Sequence, residues 1–146
     1  MQGDVTIREL RPDDYDALIA LWEAAGLPYK PKGRDSREAI QRQLQLPTAI
    51  YLVAELDGKL VGAVLGTHDG RKGWINRVAV HPDYRGRGIA RRLVEAVEQR
   101  CLELGLQIFA ALIEDWNETS MKAFERLGYQ KHEDIFYYSK RLNPDV

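Results

Sequence analysis

The stretch Val78-Ala79-Val80-His81-Pro82-Asp83-Tyr84-Arg85-Gly86-Arg87-Gly88-Ile89-Ala90 decides how this chain is read. Its first residues close an apolar run, and Ile89, Leu93, Val94, Val97, Cys101 and Leu104 then trace one face of a helix that stops at Gly105. The chain leaves a strand, turns on glycine and enters a helix. The first N–H groups of a helix have no internal partner and lie at the positive end of its dipole, and glycine lets an anion approach the main chain. The pattern therefore predicts a phosphate site. A Gly-x-Gly alone is equally an ordinary turn, but the surroundings add weight. From Arg71 to Arg92 seven basic residues face the single acid Asp83, in a protein whose net charge is −1. A cationic cluster centred on a glycine turn suits a ligand with several phosphates.

Working outward, 146 residues with 45% apolar and 29% charged side chains predict a single domain over residues 1–146 with a substantial core. Cys101 is the lone cysteine and falls on the apolar stripe of its helix, which reads as a small buried hydrophobe in a reducing compartment rather than a nucleophile. No export signal or membrane-length apolar run is present, so a cytoplasmic protein with no membrane partner is expected. Near-neutral charge argues against a nucleic-acid partner. No metal is expected.

The remaining elements follow from periodicity. Residues 5–10 alternate as a strand; Pro12 with Asp13, Asp14 and Asp16 opens a helix through Leu18, Leu21 and Trp22, which Gly26 and Pro28 end. Asp35 with Glu38 three residues later predicts the start of a second helix, to about Leu46. Residues 49–56 and 59–67 read as strands joined by Asp57-Gly58, a strong hairpin signal, and 74–80 as the next strand. Residues 107–113 are apolar on both faces, as a central strand is. A helix over 117–127 stopped by Gly128, a short strand over 129–132 and a last strand over 135–142 complete the reading.

The quoted stretch closely resembles the acyl-coenzyme A binding signature of the GCN5-related N-acetyltransferases, the GNAT family. The order of elements is similar too, and Asn117 followed by Ala123-Phe124-Glu125-Arg126-Leu127-Gly128-Tyr129 resembles the second coenzyme A segment of that family. The resemblance implies an α/β (α+β) fold with a mixed, mostly antiparallel central sheet flanked by helices. It also implies acetyl-CoA as acyl donor and an acceptor that is a small-molecule amine or a protein amino group. Homodimerisation is a family-level expectation. By the same resemblance Val78, Ala79 and Val80 pair with the pantetheine arm, while the amides of Arg85, Gly86, Arg87, Gly88, Ile89 and Ala90 cradle the pyrophosphate. Arg85, Arg87, Arg91 or Arg92 meet the outer phosphates, and Asn117 and Phe124 belong to the cofactor segment, Asn117 also suiting a helix cap.

Catalysis is less legible. A lysine-type ammonium of pKa about 10.4 is deprotonated only about once in a few thousand molecules at neutral pH, so the attacking nitrogen must lose a proton. The glutamate that family members often carry on the central strands is matched here by Trp74 and Leu112. Glu114 and Asp115 are the nearest carboxylates, with His68 and Asp69 next. The tyrosine that many relatives offer to the departing thiolate is matched by Phe124, leaving Tyr137, Tyr138 or solvent as substitutes. Trp22, Tyr29, Lys30 and Lys32 are candidate lining for the acceptor. Two readings follow: an active N-acetyltransferase, or a coenzyme A binding module with weak or no chemistry.

Overall fold

The computed structural model describes residues 4–146. Strands β1 (Thr6–Glu9), β2 (Ala49–Leu56), β3 (Lys59–His68), β4 (Gly73–Val80) and β5 (Phe109–Ala110) form one sheet in the order of the chain. The first four run antiparallel, and β5 joins β4 in parallel. Helices α1 (Tyr15–Ala25), α2 (Arg37–Leu44), α3 (Ile89–Glu103) and α4 (Glu118–Arg126) flank it. This is the mixed, mostly antiparallel sheet that the sequence implied.

The two faces of the sheet carry separate cores. On one, the stripe Ile89, Leu93, Val94, Val97 and Cys101 of α3 packs with Leu52, Ala54, Val64, Ile75 and Phe124. On the other, Leu18, Leu21 and Trp22 of α1 and Ile40 of α2 meet Tyr51, Val53, Ala63 and Ala79. Alternation along β2 feeds both faces, each fully buried large side chain contributing about 1.5–3 kcal/mol. The β2–β3 hairpin turns on Asp57 and Gly58, both at positive φ (51° and 77°), the geometry that a two-residue turn requires.

Two of the expected boundaries move. The cap of α2 is Ser36, whose Oγ accepts the Ala39 N–H at 3.1 Å. Asp35 is instead buried, with Oδ2 accepting the Lys30 N–H at 2.8 Å, so its carboxylate closes the loop before the helix. Ahead of α1, a 3-10 turn at Pro12–Asp14 precedes the helix, and the Arg8 guanidinium grips both Asp14 oxygens (2.8 and 3.0 Å) while bonding Glu55 at 2.8 Å.

The C-terminal third departs most from expectation. Only Phe109–Ala110 of the 107–113 run pairs as a strand, and neither 129–132 nor 135–142 forms one. A strand exists through hydrogen bonds to a neighbour, which an apolar pattern alone cannot supply. After Ala110 the chain parts from β4, and residues 135–142 pair with no strand and are exposed.

Close packing explains one glycine outside the turns. A Cβ at Gly73 would lie 2.5 Å from Cys101 Sγ, and Cys101 is fully buried, its thiol pKa pushed up by that burial. Gly73→Ala is expected to lower stability by about 1–3 kcal/mol, read as a drop in denaturant midpoint with unchanged slope. Hydrogen bonding from Arg8 lowers the Asp14 pKa below its ordinary 3.8. A depressed carboxyl stabilises the fold above its unfolded pKa, and that contribution disappears as pH falls through the lower folded value. Thermal melts of Asp14→Asn should therefore show a shallower loss of stability below about pH 4 than the parent.

Candidate active site

The candidate cleft starts where β4 and β5 separate. Their register holds for two pairs, Gly73 with Phe109 and Trp74 with Ala110, and then ends. Beyond Trp74, β4 pairs with β3 on one side, while no strand covers its other edge among the described residues. Along that opening lies a cleft of about 430 Å³, lined by Val78, Ala79 and Val80 from β4, by Arg85, Gly86, Gly88, Ile89, Ala90 and Arg91 at the mouth of α3, and by Asn117, Ser120, Ala123 and Phe124 from α4.

The glycines set the mouth of this cleft. Gly86 and Gly88 hold φ of 80° and 76°, and Gly88 is the residue preceding the first turn of α3. A Cβ at either would meet nothing within 4 Å. Both therefore adopt a left-handed conformation and leave open space where an anion can reach the backbone. The open approach to this turn is thus a property of the main chain.

The basic cluster is sorted by the fold. Arg85 and Arg91 line the cleft, joined by Arg126 from α4. Arg87 lies over the Tyr84 ring at 5.1 Å and is not in the lining. Arg92 turns away to donate to the Val5 carbonyl at 2.7 Å. Arg77, at φ 58° where the β3–β4 register shifts, lies 4.3 Å over the ring of Trp22, on the α1 side of the sheet. Its Nε and Nη2 are buried without a hydrogen-bond partner, and desolvation lowers its pKa. Arg126, Thr119, Ser120, Ala25 and Leu27 also border the cleft and were not singled out from sequence. Arg126 sits within the quoted second segment, so a signal for it was present; Ala25 and Leu27 carry none, because only folding brings the end of α1 here.

The remaining candidates scatter. Asn117 both lines the cleft and caps α4, its Oδ1 accepting the Ser120 N–H at 3.2 Å, so the two readings coexist. Phe124 is buried, edge-on to Tyr129 at 5.0 Å. Tyr129 donates its hydroxyl to Glu98, and burial raises its pKa, which makes it a core residue. Glu114 and Asp115 are exposed on the segment between β5 and α4, outside the cleft lining. Asp69 is fixed in its turn: the N–H groups of Lys72 and Arg71, then the Trp74 indole, hold its carboxyl down at about 2, too acidic for an efficient base. Tyr137 and Tyr138 are exposed and lie off the cleft. Trp22 and Tyr29 do come together, with ring centroids 6.2 Å apart.

Gly88→Glu is expected to reduce affinity for coenzyme A at least about tenfold by calorimetry, through blocked access and added negative charge. Gly105→Glu shares the positive φ (82°) and the open surroundings but lies at the far end of α3. It should incur the same backbone strain, about 1–2 kcal/mol, with unchanged affinity.

Comparison with known proteins agrees with this geometry. The model of the acetyltransferase (GNAT) family matches residues 10–129. Acetyltransferase SG1711 of Sodalis glossinidius (strain morsitans) is 34% identical over 139 residues, covering 95% of this chain and 96% of the relative. Among solved structures, the PaiA N-acetyltransferase of Thermoplasma acidophilum with coenzyme A superposes with a TM-score of 0.81 at 17% identity, over 91% of this chain and 94% of that one. The aminoglycoside N-acetyltransferase AAC(6')-Iy with CoA gives 0.78 at 21%, over 97% of both. The chain belongs to the acetyltransferase (GNAT) family.

Proposed function

We propose that this protein transfers the acetyl group of acetyl-CoA to a primary amine of a small molecule or to a protein amino group. The observation that carries the reading is the uncovered edge of β4 running straight into the glycine turn of α3. The pantetheine arm bears amides, and an exposed strand edge accepts them as it accepts another strand. At the mouth the diphosphate meets the amides of the turn, with Arg85, Arg91 and Arg126 supplying charge. The thioester is thereby held in the gap beside β4, whose remaining N–H groups favour a developing oxyanion. Likeness in fold to an aminoglycoside N-acetyltransferase supports the small-molecule arm of the proposal.

Positioning supplies most of the catalysis in this reading. The acceptor enters from the side of α1, where Tyr29 and the Lys30–Lys32 loop are partly exposed, whereas Trp22, expected from sequence to line this site, is fully buried beneath them. Glu114 and Asp115 are the carboxylates on the segment leaving β5, and they take the amine proton through water. Phe124 has no proton to give, and the thiolate leaves unassisted by it. A thiol of pKa about 8.5 is already a fair leaving group near neutrality.

The test is amine-dependent thiol release from acetyl-CoA, with mass analysis of the products. Release stimulated by at least one amine, with acetylated product, is the expected result; tight binding without stimulation assigns a coenzyme A binding module instead. Glu114→Gln should lower kcat by about 100-fold while coenzyme A affinity stays within twofold. An unchanged kcat across pH removes Glu114 as the base.

A further inference from the structure

Strand β4 breaks its own alternation once. Ile75 packs into the α3 core and Ala79 into the α1 core, although residues four apart on a regular strand share a face. The switch falls between Ala63 and Leu65 of β3, which pair with Ala79 and Asn76, so β4 carries one more residue than its partner over that interval. Arg77 lies there at φ 58°. Asp57, the other non-glycine residue at positive φ among the described residues, is explained by its hairpin turn, whereas Arg77 stands inside a strand. Without the bulge Arg77 would share the face of Ile75, toward the core of Leu93 and Val94. With it the guanidinium comes out over Trp22 on the α1 side. Bulges and strained backbone beside a site re-aim particular side chains, and the one re-aimed here is a cation.

The guanidinium presents an unpartnered fork. Its Nε and Nη2 are buried without a hydrogen-bond partner, and these are the two nitrogens whose parallel N–H bonds grip a carboxylate side-on. Arg8 shows how the chain satisfies such a group elsewhere: its Nε donates to Glu55 and its other two nitrogens hold Asp14. A third donor lies close by. The indole Nε1 of Trp22, also buried and unpartnered, belongs to the ring that the Arg77 guanidinium covers at 4.3 Å. Buried donors of this kind are costly until an acceptor meets them. Asp35 does not fill the role. It is near enough to favour the charged form of Arg77, but its Oδ2 accepts the Lys30 N–H, and no ion pair joins the two among the described residues. The same loop carries Lys30, Lys32 and Arg34 against that one acid, so the local field favours an incoming anion.

We propose that Arg77 binds the carboxylate of the acceptor, so that the substrate is a small amine that also carries a carboxylate. The inference rests on the transferase reading above and narrows it. Arg77 stands on β4 between Trp74, the last residue paired with β5, and Val78, Ala79 and Val80, which line the cofactor cleft. A pantetheine arm running along that edge from the mouth of α3 brings the thioester to the level of Arg77, and a carboxylate clamped there holds the amine nitrogen beside the thioester carbon. The C–N bond forms as the C–S bond breaks, the electron pair leaving on sulfur and the amine proton passing to water. Admission of the acceptor requires motion of the neighbouring loop rather than unfolding, since Arg77 as a whole is half-buried and residues 27–36 hold no helix or strand.

Thiol release from acetyl-CoA is to be measured with amino acids of increasing chain length, each paired with its own carboxamide. In at least one pair the carboxylate member should lead by about tenfold or more in kcat/KM, and Arg77→Lys, which keeps the charge but not the fork, should lose most of that preference. Arg77→Met should abolish it, with coenzyme A affinity within about twofold of the parent as a sign that the fold is retained. A readout that needs neither turnover nor a variant is the Trp22 indole N–H resonance of the wild-type coenzyme A complex, which should shift saturably with the amino acid and not with its carboxamide. Equal or reversed kcat/KM within every pair, while some amine is acetylated, overturns the proposal and leaves the transferase reading standing. So does a parent-like preference in Arg77→Met. If no amine releases thiol, the transferase reading itself fails and the indole titration judges the fork alone: saturation upholds carboxylate binding at Arg77, and an unmoved resonance overturns it.

Discussion

The structure depends on two adjacent strands that stop pairing. β4 and β5 share two residue pairs and then part, and the candidate cofactor cleft lies along the resulting gap. Backbone polar groups left without partners normally count against a fold, because burying them unpaired costs as much as a lost hydrogen bond. Here the cost is avoided because the edge of β4 faces an open cleft rather than a packed core. The pairing that does exist is drawn tight: Gly73, first residue of β4, lies against Cys101 of α3 and opposite Phe109 of β5, so helix and both strands converge at one end of the gap and diverge toward the other.

The mouth of the gap is governed by backbone conformation more than by charge. Seven basic residues cluster in sequence, yet the fold sends Arg77 to Trp22 and Arg92 to Val5, and leaves Arg85 and Arg91 at the cleft. The two arginines that leave serve the two faces of the sheet. What remains at the cleft is a modest positive charge beside the open backbone of Gly86 and Gly88, the setting in which a helix N-terminus favours an anion. Phe124 on the α4 wall closes the apolar side of the same cleft, which suits an extended, mostly uncharged arm.

Legibility followed the range of the interaction. The α3 turn, the Asp57-Gly58 hairpin and the helix stops at Gly26, Gly105 and Gly128 are local events, each fixed by a positive φ that glycine or Asp tolerates, and all were readable. The α2 cap was misassigned by one residue because Asp35 and Ser36 have equal capping chemistry; the buried bond from Lys30 N–H to Asp35 decided between them. Of the cofactor residues named from sequence, all but Arg87 and Arg92 line the cleft, since a contiguous turn and one helix face carry them. The carboxylates and tyrosines proposed for proton transfer did not gather there, because nothing local ties Glu114, Asp115 or Tyr137 to the gap.

By itself the sequence determined the order of elements as far as α4 and the glycine turn that opens α3, because helical period and glycine conformation act within a few residues. Only the tertiary structure decided where β4 and β5 part, which arginines serve the cleft and that residues 135–142 remain unpaired. Each of those outcomes is a choice between distant partners for the same hydrogen-bonding or charged group, and a chain's local pattern contains no record of the distance at which its partner will lie.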